Sequence, residues 1–204
     1  MARKSRIDAP GALHHIIARG IERSKIFRDD TDRNNFLDRL SGILKESSTL
    51  CFAWSLIPNH FHLLLRTGDV PIATVMRRLL TGYAVFHNRR HSRSGHLFQN
   101  RYKSILCQEN TYLLDLVRYI HLNPIRAGIV KDIKALDRYP YTGHSALMGK
   151  IKKDWQAIKW VLGFFDHRQW ILISRKNYTY AVSWSWIFKA LRISRCALVT
   201  SVRI

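Results

Sequence analysis

Short apolar stretches bounded by turn residues predict β-strands in the first third of the chain. Residues 12–18, 50–57 and 60–66 have this pattern. The Pro58-Asn59 pair between the last two stretches is typical of a turn. We therefore expect the last two stretches to form a β-hairpin.

Elsewhere the apolar residues recur at the spacing of an α-helix. The stretches with this spacing are residues 30–47, 70–86, 110–122 and 153–165. Asp30 or Thr31 is expected to cap the first helix, because either side chain can accept a hydrogen bond from a backbone N–H of the first turn. The third helix is expected to stop at Asn123-Pro124, because proline disfavours helical geometry in the residue before it.

The order of these elements predicts the fold class. Residues 87–100 form a basic, polar stretch that predicts a loop, and residues 101–107 predict a fourth strand. The order strand, helix, strand, strand, helix, strand, helix is typical of an α+β fold. We expect a ferredoxin-like antiparallel sheet with helices packed on one face.

The composition points to a polyanionic partner. The chain has 204 residues and a formal net charge of +20, from 34 Lys and Arg against 14 Asp and Glu. Such a charge favours nucleic acid as the partner. A membrane is not expected, because the chain has no basic amphipathic anchor helix, no apolar leader and no uncharged apolar stretch of about 18 residues. The odd number of cysteines and the lack of a CxxC pair argue against a disulfide framework or zinc finger, and predict a cytoplasmic protein.

The basic residues concentrate in a segment without acidic side chains, residues 70–108. Cations neutralise phosphates and aromatic rings stack on unpaired bases, so this segment predicts a nucleic-acid surface. The alternative is a solvated surface beside core aromatics. The DNA-binding candidates are Arg19, Arg77, Arg78, Arg89, Arg90, Arg93, Arg101, Tyr102 and Lys103.

Two short motifs suggest chemistry. His60 and His62 lie two positions apart on a predicted strand, so both imidazoles can reach one metal ion. Tyr119 and Asn123 lie four residues apart at the end of the third helix and can project together. Each motif also has an ordinary interpretation. The histidines could face solvent, Tyr119 could be a core aromatic, and Asn123 could simply end the helix before Pro124.

One mechanism would use all four residues. A tyrosine hydroxyl is a weak nucleophile near neutral pH, since its unperturbed pKa is about 10. A divalent cation can compensate by polarising a scissile phosphate, and the Asn123 amide oxygen could be a third metal ligand. Attack by Tyr119 would produce a phosphotyrosyl link to DNA. Mg²⁺ or Mn²⁺ is the expected metal.

Five blocks of the sequence resemble the REP-associated tyrosine transposases, within the single-tyrosine HUH transposases. The blocks are PGALHHIIARG (10–20), IFRDDTDRNNFL (26–37), IPNHFHLLL (57–65), GHLFQNRYKSIL (95–106) and YLLDLVRYIHLNPIRAGIV (112–130). The resemblance implies that His60 and His62 bind the metal, that Tyr119 is the nucleophile and that Asn123 completes the metal site. It also implies a ferredoxin-like fold and the cleavage and joining of single-stranded DNA beside a hairpin, through a 5′-phosphotyrosine link.

The resemblance covers residues 1–150, which we expect to be the catalytic domain. Residues 151–204 would be a C-terminal extension, and no acidic residue follows Asp166. That extension is interpreted either as a basic nucleic-acid-binding segment or as a degenerate or frameshifted end. Ile21 is another departure, since relatives often have a polar residue there. Some relatives act as dimers and others as monomers, so a homodimer is one of two states left open.

Other tyrosines and other functions remain to be weighed. Tyr112 lies on the same helix face but two turns from Asn123, Tyr102 is expected to contact DNA, and Tyr83 is expected in the core. A binding module that grips hairpin or single-stranded nucleic acid without cutting it would have the same composition. A structural metal protein is the third hypothesis, and the net charge argues against it.

Overall fold

The computed structural model describes residues 9–107 and 109–164. Its elements follow the predicted order, with additional short helices after the third long helix. They are β1 (Leu13–Arg19), α1 (Asp30–Glu46), β2 (Leu50–Ile57), β3 (His60–Arg66), α2 (Ile72–Arg90), β4 (Lys103–Cys107), α3 (Glu109–His121), α4 (Asn123–Arg126), α5 (Ile133–Arg138), α6 (Gly143–Leu147) and α7 (Ile158–Gly163). A short 3₁₀ turn, Ile21–Arg23, follows β1.

Four strands form one sheet in the order β2-β3-β1-β4, and every neighbouring pair is antiparallel. Two crossovers, through α1 and through α2, connect strands that are not neighbours. This topology is the ferredoxin-like arrangement, so the predicted fold class is confirmed. Ile17 of β1 lies opposite His62 of β3 on one side and opposite Lys103 of β4 on the other.

One face of the sheet packs against α1 and α2. Phe61 and Leu63 point to this face and belong to the main hydrophobic core. The helices contribute Phe36 from α1 and Tyr83 from α2, both fully buried. Tyr83 donates a hydrogen bond to the carbonyl of Ile26, so its predicted place in the core is confirmed.

The opposite face has a different character, because successive side chains of a strand point to opposite sides. His60 and His62 therefore point away from the core that holds Phe61 and Leu63. Helix α3 covers this second face, since the Tyr119 ring lies against His62. The helices thus pack on both faces of the sheet, whereas the sequence predicted them on one. We call it the histidine face of the sheet.

Several boundaries differ from the predictions. The last predicted helix, residues 153–165, is shorter in the structure, where α7 begins at Ile158 and ends at Gly163. Asp29, rather than Asp30 or Thr31, caps α1 by accepting a hydrogen bond from the backbone N–H of Asp32 at 3.1 Å. Helix α2 continues to Arg90, one turn into the predicted loop. Strand β4 begins two residues later than predicted.

The chain divides into two compact units, Met1–Ile158 and Lys159–Ile204. The expected domain boundary near residue 150 stays a prediction. The residues after Asp166, which the sequence analysis interprets either as a basic extension or as a degenerate end, lie outside the described part of the chain. Among the helices of the described residues, none has the length and apolar character needed to cross a membrane.

Candidate active site

The two histidines of the HxH motif lie side by side on β3. Their ring centroids are 5.1 Å apart, as the two-residue period of a strand predicts. Asn59, in the turn before β3, fixes the first ring, because its Oδ1 lies 2.7 Å from Nδ1 of His60. His60 is half-buried and His62 is 3% exposed.

A third histidine, which the sequence did not indicate, completes this group. Nε2 of His15 lies 2.9 Å from Nδ1 of His62, and both side chains are buried. His15 lies on β1, and the antiparallel pairing of β1 with β3 brings it to the histidine face. Its partner is 47 positions away in the chain, so only the register of the two strands reveals the contact.

Tyr119 approaches the histidines from α3. Its ring centroid lies 5.9 Å from that of His62 and 6.0 Å from that of His15, with its ring nearly perpendicular to both. The guanidinium carbon of Arg126, from α4, lies 4.6 Å from the centroid of the Tyr119 ring. The tyrosine is half-buried, so its surface is not closed off as that of Tyr83 is.

Asn123 begins α4 directly after the turn that carries Tyr119. Its side-chain N–H donates to the carbonyl oxygens of Tyr119 and Ile120, at 3.0 and 3.3 Å. Because its nitrogen is used in this way, the amide oxygen is the group left to bind another atom. Pro124 follows in the first turn of α4, where its missing N–H costs no hydrogen bond.

The imidazoles of the group are held in their neutral form. Burial, reinforced by the positive charge of Arg19, lowers the pKa of His60 to about 4. Burial and the charge of Lys103 lower the pKa of His15 to about 4, and burial also lowers the pKa of His62 well below its usual value. All three rings therefore keep a lone pair at neutral pH.

These contacts suit a metal site. Metal-binding histidines usually use their second ring nitrogen to hydrogen-bond a neighbour, which fixes the ring and its tautomer. Here Nδ1 of His60 faces Asn59, and Nδ1 of His62 faces His15. The Nε2 atoms of His60 and His62 are thus the nitrogens left for a ligand, and such a pair fits a divalent metal.

A family model of IS200-like transposases matches residues 10–123, more than half of the chain. The chain belongs to the IS200-like transposase family. The matched range includes every residue of the site built above except Pro124 and Arg126. Transposases act on DNA, so the prediction of DNA as the partner is confirmed at that level.

Two solved structures resemble this transposase. One is a REP-associated tyrosine transposase bound to a REP hairpin, with a TM-score of 0.60 and 16% sequence identity over 78% of this chain and 91% of that chain. At this identity the likeness shows the fold alone. The other is a candidate transposase from Deinococcus radiodurans, with a TM-score of 0.41 and 19% identity over 65% of this chain and 96% of that chain. No curated protein matches the sequence.

The fold separates the DNA-binding candidates of the transposase into groups. Arg19 lies opposite His60, and Lys103 lies opposite Ile17, so both exposed side chains belong to the histidine face. Arg77 and Arg78 lie on α2, on the other side of the sheet, and Arg78 pairs with Glu46 of α1.

The remaining candidates follow from the end of α2 to the start of β4. Arg90 is tied to Asp29 at 2.7 Å and to Asp32 at 2.6 Å. Arg89 and Arg101 are exposed, Arg93 is half-buried, and Tyr102 is 5% exposed. Tyr102 therefore offers little surface to a DNA base in this conformation.

Proposed function

We propose that this transposase cleaves and rejoins single-stranded DNA with Tyr119 as the nucleophile and with a divalent metal, Mg²⁺ or Mn²⁺, held by His60, His62 and Asn123. The observation that carries the proposal is the position of the Tyr119 ring, which lies edge-on against His62. One helix and one strand thus bring the Tyr119 side chain and two neutral imidazoles to the same place.

The ligand set supports metal assistance. Two imidazole nitrogens and one amide oxygen leave coordination positions for phosphate oxygens and water. A divalent metal held by these residues would polarise the scissile phosphate. His15 supports this role indirectly, because its contact with Nδ1 of His62 keeps the other nitrogen of that ring available to a ligand.

The chemistry is a transesterification at phosphorus. The Tyr119 oxygen forms a bond to the phosphorus, and the bond between the phosphorus and the 3′ oxygen breaks. The phenol gives up its proton to solvent, and the departing 3′ oxygen takes one from solvent. The downstream DNA fragment stays attached to Tyr119 through its 5′ phosphate. Attack by the 3′ hydroxyl of another strand reverses the step and joins the two strands.

Positive charge lies where negative charge would collect. The Arg126 guanidinium stacks over the Tyr119 ring at 4.6 Å, close enough to stabilise charge on the phenol oxygen or on the phosphate. Arg19 and Lys103 extend the positive surface along the same face of the sheet. We propose that these two side chains contact the DNA backbone near the cleavage point. Further candidates for DNA-backbone contacts are Arg89, Arg93 and Arg101.

The substrate is proposed to contain a hairpin. The solved relative with the same fold is bound to a REP hairpin, and a hairpin would place a duplex beside the single strand that Tyr119 attacks. A binding protein without strand cleavage is the competing outcome, since the net charge supports both.

The test is a covalent adduct. Purified protein is mixed with labelled single-stranded hairpin oligonucleotides, drawn from the DNA beside its own gene, and with Mg²⁺ or Mn²⁺. We expect an SDS-resistant band. In Tyr119→Phe the amount of adduct in this band should decrease roughly a thousandfold or more, the scale of losing a nucleophile. Mass spectrometry of the digested adduct should find the nucleotide on Tyr119.

The matched control is Tyr112→Phe, which removes a tyrosine hydroxyl from the same helix. This variant should keep the adduct. An adduct that survives in Tyr119→Phe and disappears in Tyr112→Phe would transfer the role to Tyr112. Tight hairpin binding without an adduct in any metal would favour the binding protein.

A further inference from the structure

A second group of side chains of the types that bind metals lies on the other side of the sheet, between α1 and α2. It consists of Asp32, His87 and His91, and one ligand atom from each lies within 4.8 Å of the others. His87 and His91 are one helical turn apart, so they share a face of α2. The proposed function uses none of the three.

His87 is the unexplained member of the group. Its side chain is fully buried, and neither ring nitrogen has a hydrogen-bond partner among the described residues. Buried polar atoms are nearly always paired, so an unpaired ring requires an explanation, and an ion is one of the few available. Burial lowers the pKa of His87 to about 4, so the ring is neutral at neutral pH and one of its two nitrogens keeps a lone pair.

The other two members already face each other. Nε2 of His91 lies 2.9 Å from Oδ2 of Asp32, whose side chain is fully buried. The backbone N–H of Arg28 donates to the same oxygen at 2.9 Å, and Arg90 donates to the other at 2.6 Å. These donors hold the carboxylate in the way that outer partners hold a metal-bound carboxylate.

We propose that Asp32, His87 and His91 bind one transition-metal ion, Zn²⁺ being the best fit. Two imidazoles and a carboxylate are ligands that Zn²⁺ uses. The ion would replace the His91–Asp32 hydrogen bond and take the lone pair of His87. A water molecule can complete the coordination at the side of His91, whose side chain is 12% exposed.

This site would be structural. It would join the start of α1 to the end of α2, and His87 lies in the layer that packs on the core face of the sheet, away from Tyr119. The ion would therefore stabilise the fold and the start of the basic stretch that follows α2, residues 91–100. Because metal binding to a folded site adds to folding stability, the ion should raise the Tm.

The experiment separates the two metal sites. The whole chain with His60→Ala and His62→Ala is stripped with a chelator, loaded with Zn²⁺ and desalted, and its zinc content and Tm are measured. We expect one Zn²⁺ per chain in this background and a Tm that rises with Zn²⁺. Adding His87→Leu should abolish both, and so should His91→Gln as a second, milder variant.

His96→Gln is the matched control, because it removes an exposed histidine from the stretch of residues 91–100 that follows α2. It should change neither the zinc content nor the Tm response. Circular dichroism confirms that each variant is folded. Zinc binding that survives His87→Leu, or a folded protein that binds no Zn²⁺ in the His60→Ala and His62→Ala background, would overturn the proposal. Neither outcome depends on whether the protein cleaves DNA.

Discussion

The two sides of the sheet hold two histidine groups that differ in their charged neighbours. On the histidine face, burial chiefly lowers the pKa values of His60 and His62, and the positive charge of Arg19 and, for His62, of Arg126 lowers them further. On the other side, His91 faces the carboxylate of Asp32. The first group therefore presents neutral nitrogens amid positive charge, which suits a phosphate ester. The second supplies its own anion, which suits a cation bound without a substrate.

The largest effect that would sharpen this contrast is expected at His60. His60→Ala removes a proposed metal ligand next to the proposed nucleophile, and losing several kcal/mol of transition-state stabilisation corresponds to roughly a 100-fold to 1,000-fold slower adduct formation. His91→Ala, in the other group, should leave the rate within about twofold. The measurement is the initial rate of adduct formation with saturating Mn²⁺. An equal loss of rate in both variants would contradict the assignment of catalysis to the histidine face alone.

His15 tests whether the histidine face depends on a supporting contact. His15→Leu removes the partner of His62 Nδ1, and removing such a partner typically weakens metal affinity about 10-fold to 100-fold. His15→Gln can still accept a hydrogen bond at the position of Nε2, so it should retain most of the affinity. Titration of Mn²⁺ followed by electron paramagnetic resonance measures the affinity without any DNA present.

His14 provides the control for this prediction. It neighbours His15 but points to the opposite face, where Nδ1 lies 3.1 Å from Oγ of Ser104. His14→Gln should leave Mn²⁺ affinity unchanged. If both His15 variants lose affinity equally, the ring acts through packing and not through its hydrogen bond.

The smallest expected effect compares two arginines. Arg19→Gln removes one cation from the histidine face, so the affinity for the single-stranded hairpin should fall a few-fold at moderate salt. The plot of log K against log salt has a negative slope, and its magnitude should decrease by about 0.7, the contribution of one phosphate contact on a single strand. Arg77→Gln removes the same charge from α2 and should change neither quantity. Fluorescence anisotropy at several salt concentrations distinguishes them, and equal effects would mean that DNA contacts both sides.

The local parts of the fold followed from sequence. Strands β2 and β3 have the predicted bounds, because the Pro58-Asn59 pair marks the turn between two apolar stretches. The end of α2 was predicted one turn too early, because the turn after Phe86 contains His87, Arg89 and Arg90 and lacks the apolar pattern. The helix continues there because His87 fills the buried position that an apolar residue would otherwise fill.

The candidate site was only partly accessible to sequence reasoning. The spacing of His60 with His62 follows from one strand, and that of Tyr119 with Asn123 follows from one helix and its end. The role of His15 depends on how β1 pairs with β3. The contact of Asp32 with His91 joins residues 59 positions apart. Such contacts are set by packing between elements, which no local pattern encodes.

Asn123 has a mechanical consequence. Its side-chain N–H donates hydrogen bonds to the carbonyls of Tyr119 and Ile120, so it stabilises the last turn of α3. A DNA strand joined to Tyr119 would pull on that turn whenever the strand is under tension. Unwinding from this end would first have to break both bonds, so the proposed attachment point for the strand would be reinforced where a helix is ordinarily weakest.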